Sequence, residues 1–223
     1  MIERAHARGQ RRPWRDAAAA DPQREAVVSA AAVPQVRGEL FLARFSFVRD
    51  TYGTAGLAGL LGALKESDRR ELETVVERQW YTFGLLNRLD RAIAERLAGN
   101  DAAVYERLGA ASARDRTMAL KDVAAFVSVH GFLARTAEEH RRFHTFGRAS
   151  YRRISFTEGE LTYLDYPEPD RVYCLGGLGY LRAAVEQLAG PPVAAEERWC
   201  QCRGDAACVF HLQWGRRGAG GTS

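Results

Sequence analysis

Four cysteines fall in the last quarter of this 223-residue chain, and the three quarters ahead of Cys174 contain none. Cys200, Cys202 and Cys208 follow within a span of nine positions, and Glu197 stands three residues ahead of them. Thiolates are soft donors and a carboxylate is a hard one, so the group has the chemistry of a sulfur-rich metal site. Zinc takes four ligands, and Cys174, Glu197, Cys200, Cys202 and Cys208 offer one too many. With every ligand supplied by protein no position stays open for water or substrate, and such a metal is structural. Two other chemistries use the same residues: thiols buried as small hydrophobes, or a cross-strand disulfide between Cys202 and Cys208.

These donors need elements to hold them. Residues 193–202 and 207–214 read as two antiparallel strands joined by Arg203-Gly204-Asp205. A three-residue turn there pairs 202 with 206 and 200 with 208, which places all three even-numbered cysteines on one face. Cys174 opens a helix expected over residues 172–188, where free N–H groups and the dipole favour a thiolate. Ahead of it, residues 151–156 and 161–165 alternate as a β-hairpin, with Gly159 supplying the turn. The region before Gly147 is helical. Leu57, Leu60, Leu61 and Leu64 recur at helical spacing, Ser67 and Asp68 look like an N-cap, and Leu85, Leu86, Leu89, Ile93 and Leu97 form an apolar stripe. Gly99 ends that helix, Asp101 caps the next, and further helical pattern runs over residues 115–129 and 132–146. The expected fold class is α+β: a helical N-terminal layer packed on a four-stranded antiparallel sheet, with one helix between the two hairpins.

A hydrophobic fraction of 46% supports a buried core in one domain. Residues 1–36 are rich in Arg, Ala and Pro without apolar periodicity, and are expected to be a disordered basic tail. The domain is expected over residues 37–214, with a flexible tail at 215–223. Of the net charge of +4, most belongs to residues 1–24, where six arginines face three acidic residues. The folded part therefore carries no basic stripe for nucleic acid. No run of about 18 apolar residues exists to span a membrane, and the start lacks the apolar core of a signal peptide. A cytoplasmic, reducing location is expected, which favours metal over disulfide.

The pattern Glu197-x-x-Cys200-x-x-x-Gly204-x-x-x-Cys208-x-Phe210, with Cys174 upstream at the head of a glycine-rich helix, resembles the four-vinyl reductase (V4R) domain. That superfamily includes ligand-sensing domains of phenol-responsive activators, a bacteriochlorophyll-biosynthesis protein and a subunit of a vesicle-tethering complex; haem-based nitric-oxide sensor domains are distant relatives. Gly38-Glu-Leu-Phe, Phe47-Val-Arg-Asp-Thr-Tyr-Gly53, Trp80-Tyr81 and Trp214 extend a closer likeness to an uncharacterised, mainly myxobacterial family carrying this domain. The resemblance implies structural zinc on Cys174, Glu197, Cys200 and Cys208, leaving Cys202 outside. It also implies a pocket between helices and sheet, for which Trp80, Tyr81, Phe83, Phe126, His130, Phe143 and Tyr163 are the candidate lining.

The expected function is a non-enzymatic, zinc-stabilised sensor or binding module for a small, largely apolar or aromatic ligand, signalling through a homodimer or a protein partner. The alternatives are an enzyme or accessory acting on a tetrapyrrole-like substrate, or a pure assembly protein. His140 and His144 are one helical turn apart but stand among Glu138, Glu139, Arg141 and Arg142, which reads as a solvated face. Gly176-Gly177-Leu178-Gly179 completes no dinucleotide fingerprint, and helix packing explains it.

Overall fold

A computed structural model describes residues 33–114 and 128–215. It begins with a short strand, β1 (Gln35–Arg37), which leads straight into α1 (Gly38–Gly62). The run from Glu39 to Phe45 is helical. Leu40, Phe41, Phe45 and Val48 bury one flank of it, and Gly53, with φ of +76°, breaks the helix before its leucine-rich second half. Helix α2 (Glu66–Glu73) follows. It forms where expected, but its N-cap is Lys65 without a side-chain bond, so Ser67 lies inside the helix and is not the cap.

Strand β2 (Trp80–Thr82) pairs with β1 in register Val36↔Tyr81, and this small ribbon closes the loop between α2 and α3 (Phe83–Leu97). The stripe on α3 is buried as its 3.6-residue period requires, with Leu85, Leu86, Leu89 and Ile93 at most 1% exposed. Asp101 caps α4 (Ala103–Arg114), its Oδ1 accepting the Ala103 N–H at 3.0 Å. The helix expected over residues 115–129, and with it Phe126, falls almost wholly outside the described residues. The helical run expected over 132–146 is two pieces, α5 (Val129–Glu138) and the single turn α6 (His140–Phe143).

Two hairpins form the sheet. Strands β3 (Arg148–Arg153) and β4 (Glu158–Leu164) make the first; helix α7 (Arg171–Ala189) intervenes; β5 (Val193–Trp199) and β6 (Cys208–Trp214) make the second. All neighbours are antiparallel, in the order β3-β4-β6-β5, so the α+β expectation holds. Gly159 is not the turn of the first hairpin. It is paired with Arg153 inside the ladder, and a Cβ there would come within 2.4 Å of the Tyr151 hydroxyl.

Helix α7 covers the inner face of the sheet and crosses α4 at backbone contact. A Cβ on Gly109 would lie 1.8 Å from the Gly176 carbonyl oxygen, and one on Gly179 would lie 2.0 Å from that of Glu106. The glycines of α7 are there for this approach. Two apolar clusters result, one among α1, α3 and their neighbours, the other between α5, α7 and the sheet. The cavity and the cysteines lie where these clusters meet.

Candidate functional site: an internal cavity walled by a cysteine cluster

The second hairpin is bulged. Its register holds from Val193↔Trp214 to Glu197↔Phe210, then slips by one so that Trp199 faces Val209. A one-residue slip exchanges faces. Trp199 is thereby turned outward, 59% exposed, and Cys200 inward, fully buried on the same side as Cys208 and Phe210. The three-residue turn expected from sequence does not form. A 3-10 turn at Gln201–Arg203 and the left-handed Gly204, φ of +91°, replace it, and the Asp205 carboxylate holds this loop by accepting the Cys200 N–H at 2.7 Å. Cys202 sits on that turn, exposed.

The sulfur atoms of Cys174, Cys200 and Cys208 stand 3.7, 3.8 and 4.0 Å apart. Cys174 is brought there by the first turn of α7, whose N-cap Asp170 accepts the Val172 N–H at 3.0 Å. One donor atom each from Cys174, Glu197, Cys200 and Cys208 lies within 4.8 Å of all the others. Glu197 accepts Arg171 and, at 3.4 Å, Arg203 on Oε2, while its buried Oε1 has no hydrogen-bond partner. The hydrogen bond shared with Cys208, and then burial, push the Cys174 thiol up; the same bond draws Cys208 down to about 6 against the opposing effect of burial. One proton shared between close sulfurs accounts for both directions.

Cys174 and Cys208 also wall a cavity of about 140 Å³. Leu40 and Arg44 reach it from α1, Gly109 and Ser112 from α4, and His140, Phe143 and His144 from the α6 region. Thr136 of α5, Tyr163 of β4, Tyr166, Pro169 and Asp170 of the β4–α7 loop, Tyr173, Gly176, Gly177, Tyr180 and Leu181 of α7, and Phe210 of β6 are the rest of its described lining. Of the seven residues expected to line a pocket, the structure puts Phe143 and Tyr163 there. Tyr81 and Phe83 are core residues: the Tyr81 hydroxyl accepts the Val76 N–H at 2.8 Å, and Phe83 packs tilted on Phe146 and edge-to-face on Tyr173. Trp80 lies under the Arg37 guanidinium at 4.2 Å. His130 is bonded to the Tyr151 hydroxyl at 2.5 Å and to the Phe156 carbonyl at 2.9 Å, away from the cavity.

His140 and His144 are the main surprise. The break between α5 and α6 at Glu139 turns them inward, so they are 5% and 8% exposed and stack at 4.3 Å. Burial lowers their pKa values to about 4 and about 3, so both rings are neutral at pH 7. His144 accepts the Tyr173 hydroxyl on Nε2 at 2.5 Å and donates from Nδ1 to the His140 carbonyl at 3.1 Å. His140 donates from Nε2 to the Phe146 carbonyl at 3.1 Å.

Arg44, 3% exposed, is held by Asp90 through Nε at 3.0 Å and Nη2 at 3.2 Å, and donates from Nη1 to Ser112 at 3.1 Å. Its burial opposes the charge, but the adjacent Asp90 carboxylate more than offsets it and the guanidinium stays ionised. Aromatic periodicity alone does not mark these residues, because the lining comes from elements scattered along the chain.

No family model matches the chain, and no curated protein sequence is significantly similar to it. Solved structures do share the fold, and their class is the H-NOX protein. An H-NOX protein from S. oneidensis in the Fe(II)NO ligation state superposes with a TM-score of 0.63 at 17% identity, covering 81% of this chain and 99% of its own. An unliganded Fe(II) H-NOX mutant from K. algicida gives 0.59 at 11% identity, over 81% and 97%. A structure described by haem redox potential and porphyrin distortion gives 0.61 at 15% identity, over 80% and 99%. At these identities the likeness establishes the fold. It corrects the V4R resemblance: the structures matched are H-NOX proteins, which the sequence reading placed only as distant relatives. Gly204, at the centre of the pattern that carried the resemblance, is what the left-handed end of this turn favours, so that part of the pattern marks topology more than family. Zinc as the cofactor, expected from the donor chemistry and from the resemblance alike, is corrected as well, since the structures sharing this fold are described by haem and Fe(II) ligation.

Among the described residues no helix is long and apolar enough to cross a membrane.

Proposed function

We propose that this chain is a non-enzymatic sensor or binding module for one small, largely apolar molecule held in the cavity between the helical layer and the sheet. The observation that carries the reading is the cavity itself: about 140 Å³, walled mainly by aromatic and aliphatic side chains, at the seam of the two apolar clusters. An apolar cavity of about 150 Å³ accommodates benzene, so the ligand expected here has one ring. Its occupancy would bear on α1, α4, α6, α7 and both hairpins together. A ligand that favours one packing of helices against sheet would thereby shift a dimer or partner contact.

Haem, carried by proteins of this fold, is the natural competitor, and the residues do not fit it. A porphyrin spans four pyrrole rings, and the cavity has room for about one. The two haem propionates need cations, yet Arg44, the lone cation among the described lining residues, is already paired with Asp90. His144 has both ring nitrogens engaged, and His140, stacked against it, keeps only Nδ1 free. Adding hemin should give no stoichiometric Soret band.

Cys174, Glu197, Cys200 and Cys208 are proposed as the ligand set of a soft metal ion, on the strength of their convergence and the unpartnered Glu197 Oε1. Co(II) is a suitable probe: sulfur-to-metal charge-transfer absorption is expected at one equivalent and should be lost in Cys208→Ser. Native mass spectrometry of protein from its own host tests the main reading. It should find a retained or exchangeable organic ligand of single-ring mass; a haem-sized mass would overturn it.

A further inference from the structure

We propose that the cavity selects an uncharged ligand bearing a hydrogen-bond-accepting oxygen of carbonyl type over a bare hydrocarbon, and excludes carboxylate compounds of the same size. This rests on the small-ligand reading above and adds the ligand's chemical class. The argument is a balance of donors and acceptors left unmet in the wall. A guanidinium carries five N–H donors. Three of those on Arg44 are used, by the two Asp90 oxygens and by Ser112, leaving two N–H groups without a partner among the described residues. Tyr163, Tyr166 and Tyr180 line the same space, and their hydroxyls likewise have no hydrogen-bond partner among the described residues. Burial raises all three phenol pKa values, so each keeps its proton and remains a donor at pH 7.

The carboxylate acceptors are taken. Asp90 is held by Arg44; Asp170 by Arg91 at 2.6 Å and by the Val172 N–H. Ser112 donates to the Leu108 carbonyl, Thr136 to the Phe132 carbonyl, and Tyr173 to His144. With Nε2 of His140 donating to Phe146, its Nδ1 remains an acceptor. A wall of unmet donors calls for a ligand oxygen with lone pairs. An anion fares worse: Arg44 is already neutralised by Asp90, so a carboxylate would be desolvated without a counter-ion.

Calorimetric titration of the full chain at pH 7 with three probes of matched size tests this: ethylbenzene, acetophenone and benzoate. Acetophenone is expected to bind about tenfold more tightly than ethylbenzene, the ratio for a net hydrogen-bond contribution of the usual size. Benzoate should bind at least about tenfold more weakly than ethylbenzene. In the Tyr163→Phe, Tyr166→Phe double variant, which removes two hydroxyls and keeps both rings, the acetophenone advantage should shrink to about threefold or less while ethylbenzene binding is unchanged or improved. Ethylbenzene binding as tightly as acetophenone, an advantage untouched by the double variant, or benzoate binding best would overturn the proposal while leaving the small-ligand reading standing. No binding of any probe would remove that reading and this proposal together.

Discussion

Arg44 shows how one residue links stability to the site. It crosses from α1 to pair with Asp90 on α3 and Ser112 on α4, and it lines the cavity. Removing one member of a buried pair strands the other charge, so Arg44→Ala should cost about 3–5 kcal/mol, read from urea unfolding. Replacing Arg44 and Asp90 together by apolar residues should recover most of that loss. The cysteines make a second residue-scale prediction. Cys202 is exposed while Cys174, Cys200 and Cys208 are buried, so Ellman's reagent should titrate one thiol quickly in the native protein and the other three at the rate of unfolding. Fast reaction of two or more thiols would contradict the placement of Cys200 behind the bulge.

At the scale of elements, the α4–α7 crossing and the bulge in β5 decide where the site sits. Gly109→Ala puts a methyl group into the Gly176 backbone, which cannot yield without parting the helices, so a loss of at least about 1–3 kcal/mol is expected in chemical denaturation. The same substitution at Gly59, where a Cβ meets nothing within 4 Å, should be neutral or slightly stabilising. Much at this scale was legible in the sequence. The stripe on α3, the Asp101 cap, the glycine packing of α7 and the existence of two hairpins follow from periodicity and capping, while the turns of both hairpins differ from those expected. The bulge was not legible, because the cysteine parity reads equally well as a regular ladder with a tight turn. Nor was the break at Glu139: a continuous helix puts His140 and His144 among charged neighbours, and only the interruption turns them inward. The cavity suffered most, since Arg44, Tyr166 and Tyr180 each look like ordinary positions on their own elements and acquire a role only in the assembled fold.

Across the whole molecule, the two buried histidines couple the site to pH. Their pKa values fall from 6.5 to about 4 and about 3 on folding, mainly through burial, with Arg141 and the mutual repulsion of the two rings adding to it. The unfolded chain therefore binds more protons than the native one between those values and 6.5. This contribution is present in full above pH 6.5 and is lost as pH falls toward 4 and below. Denaturation midpoints should drop over pH 6.5–4, and a His140→Gln, His144→Gln variant should show a flatter profile there; an unchanged profile would contradict their burial. The molecule as described is a sheet and a helical layer joined across a one-ring void, and the functional account depends on that void being real. Crystals soaked in bromobenzene test it most directly. The account predicts one ordered bromine anomalous peak inside the space bounded by Phe143, Tyr163, Leu181 and Phe210; its absence there, with those side chains collapsed onto one another, would contradict it.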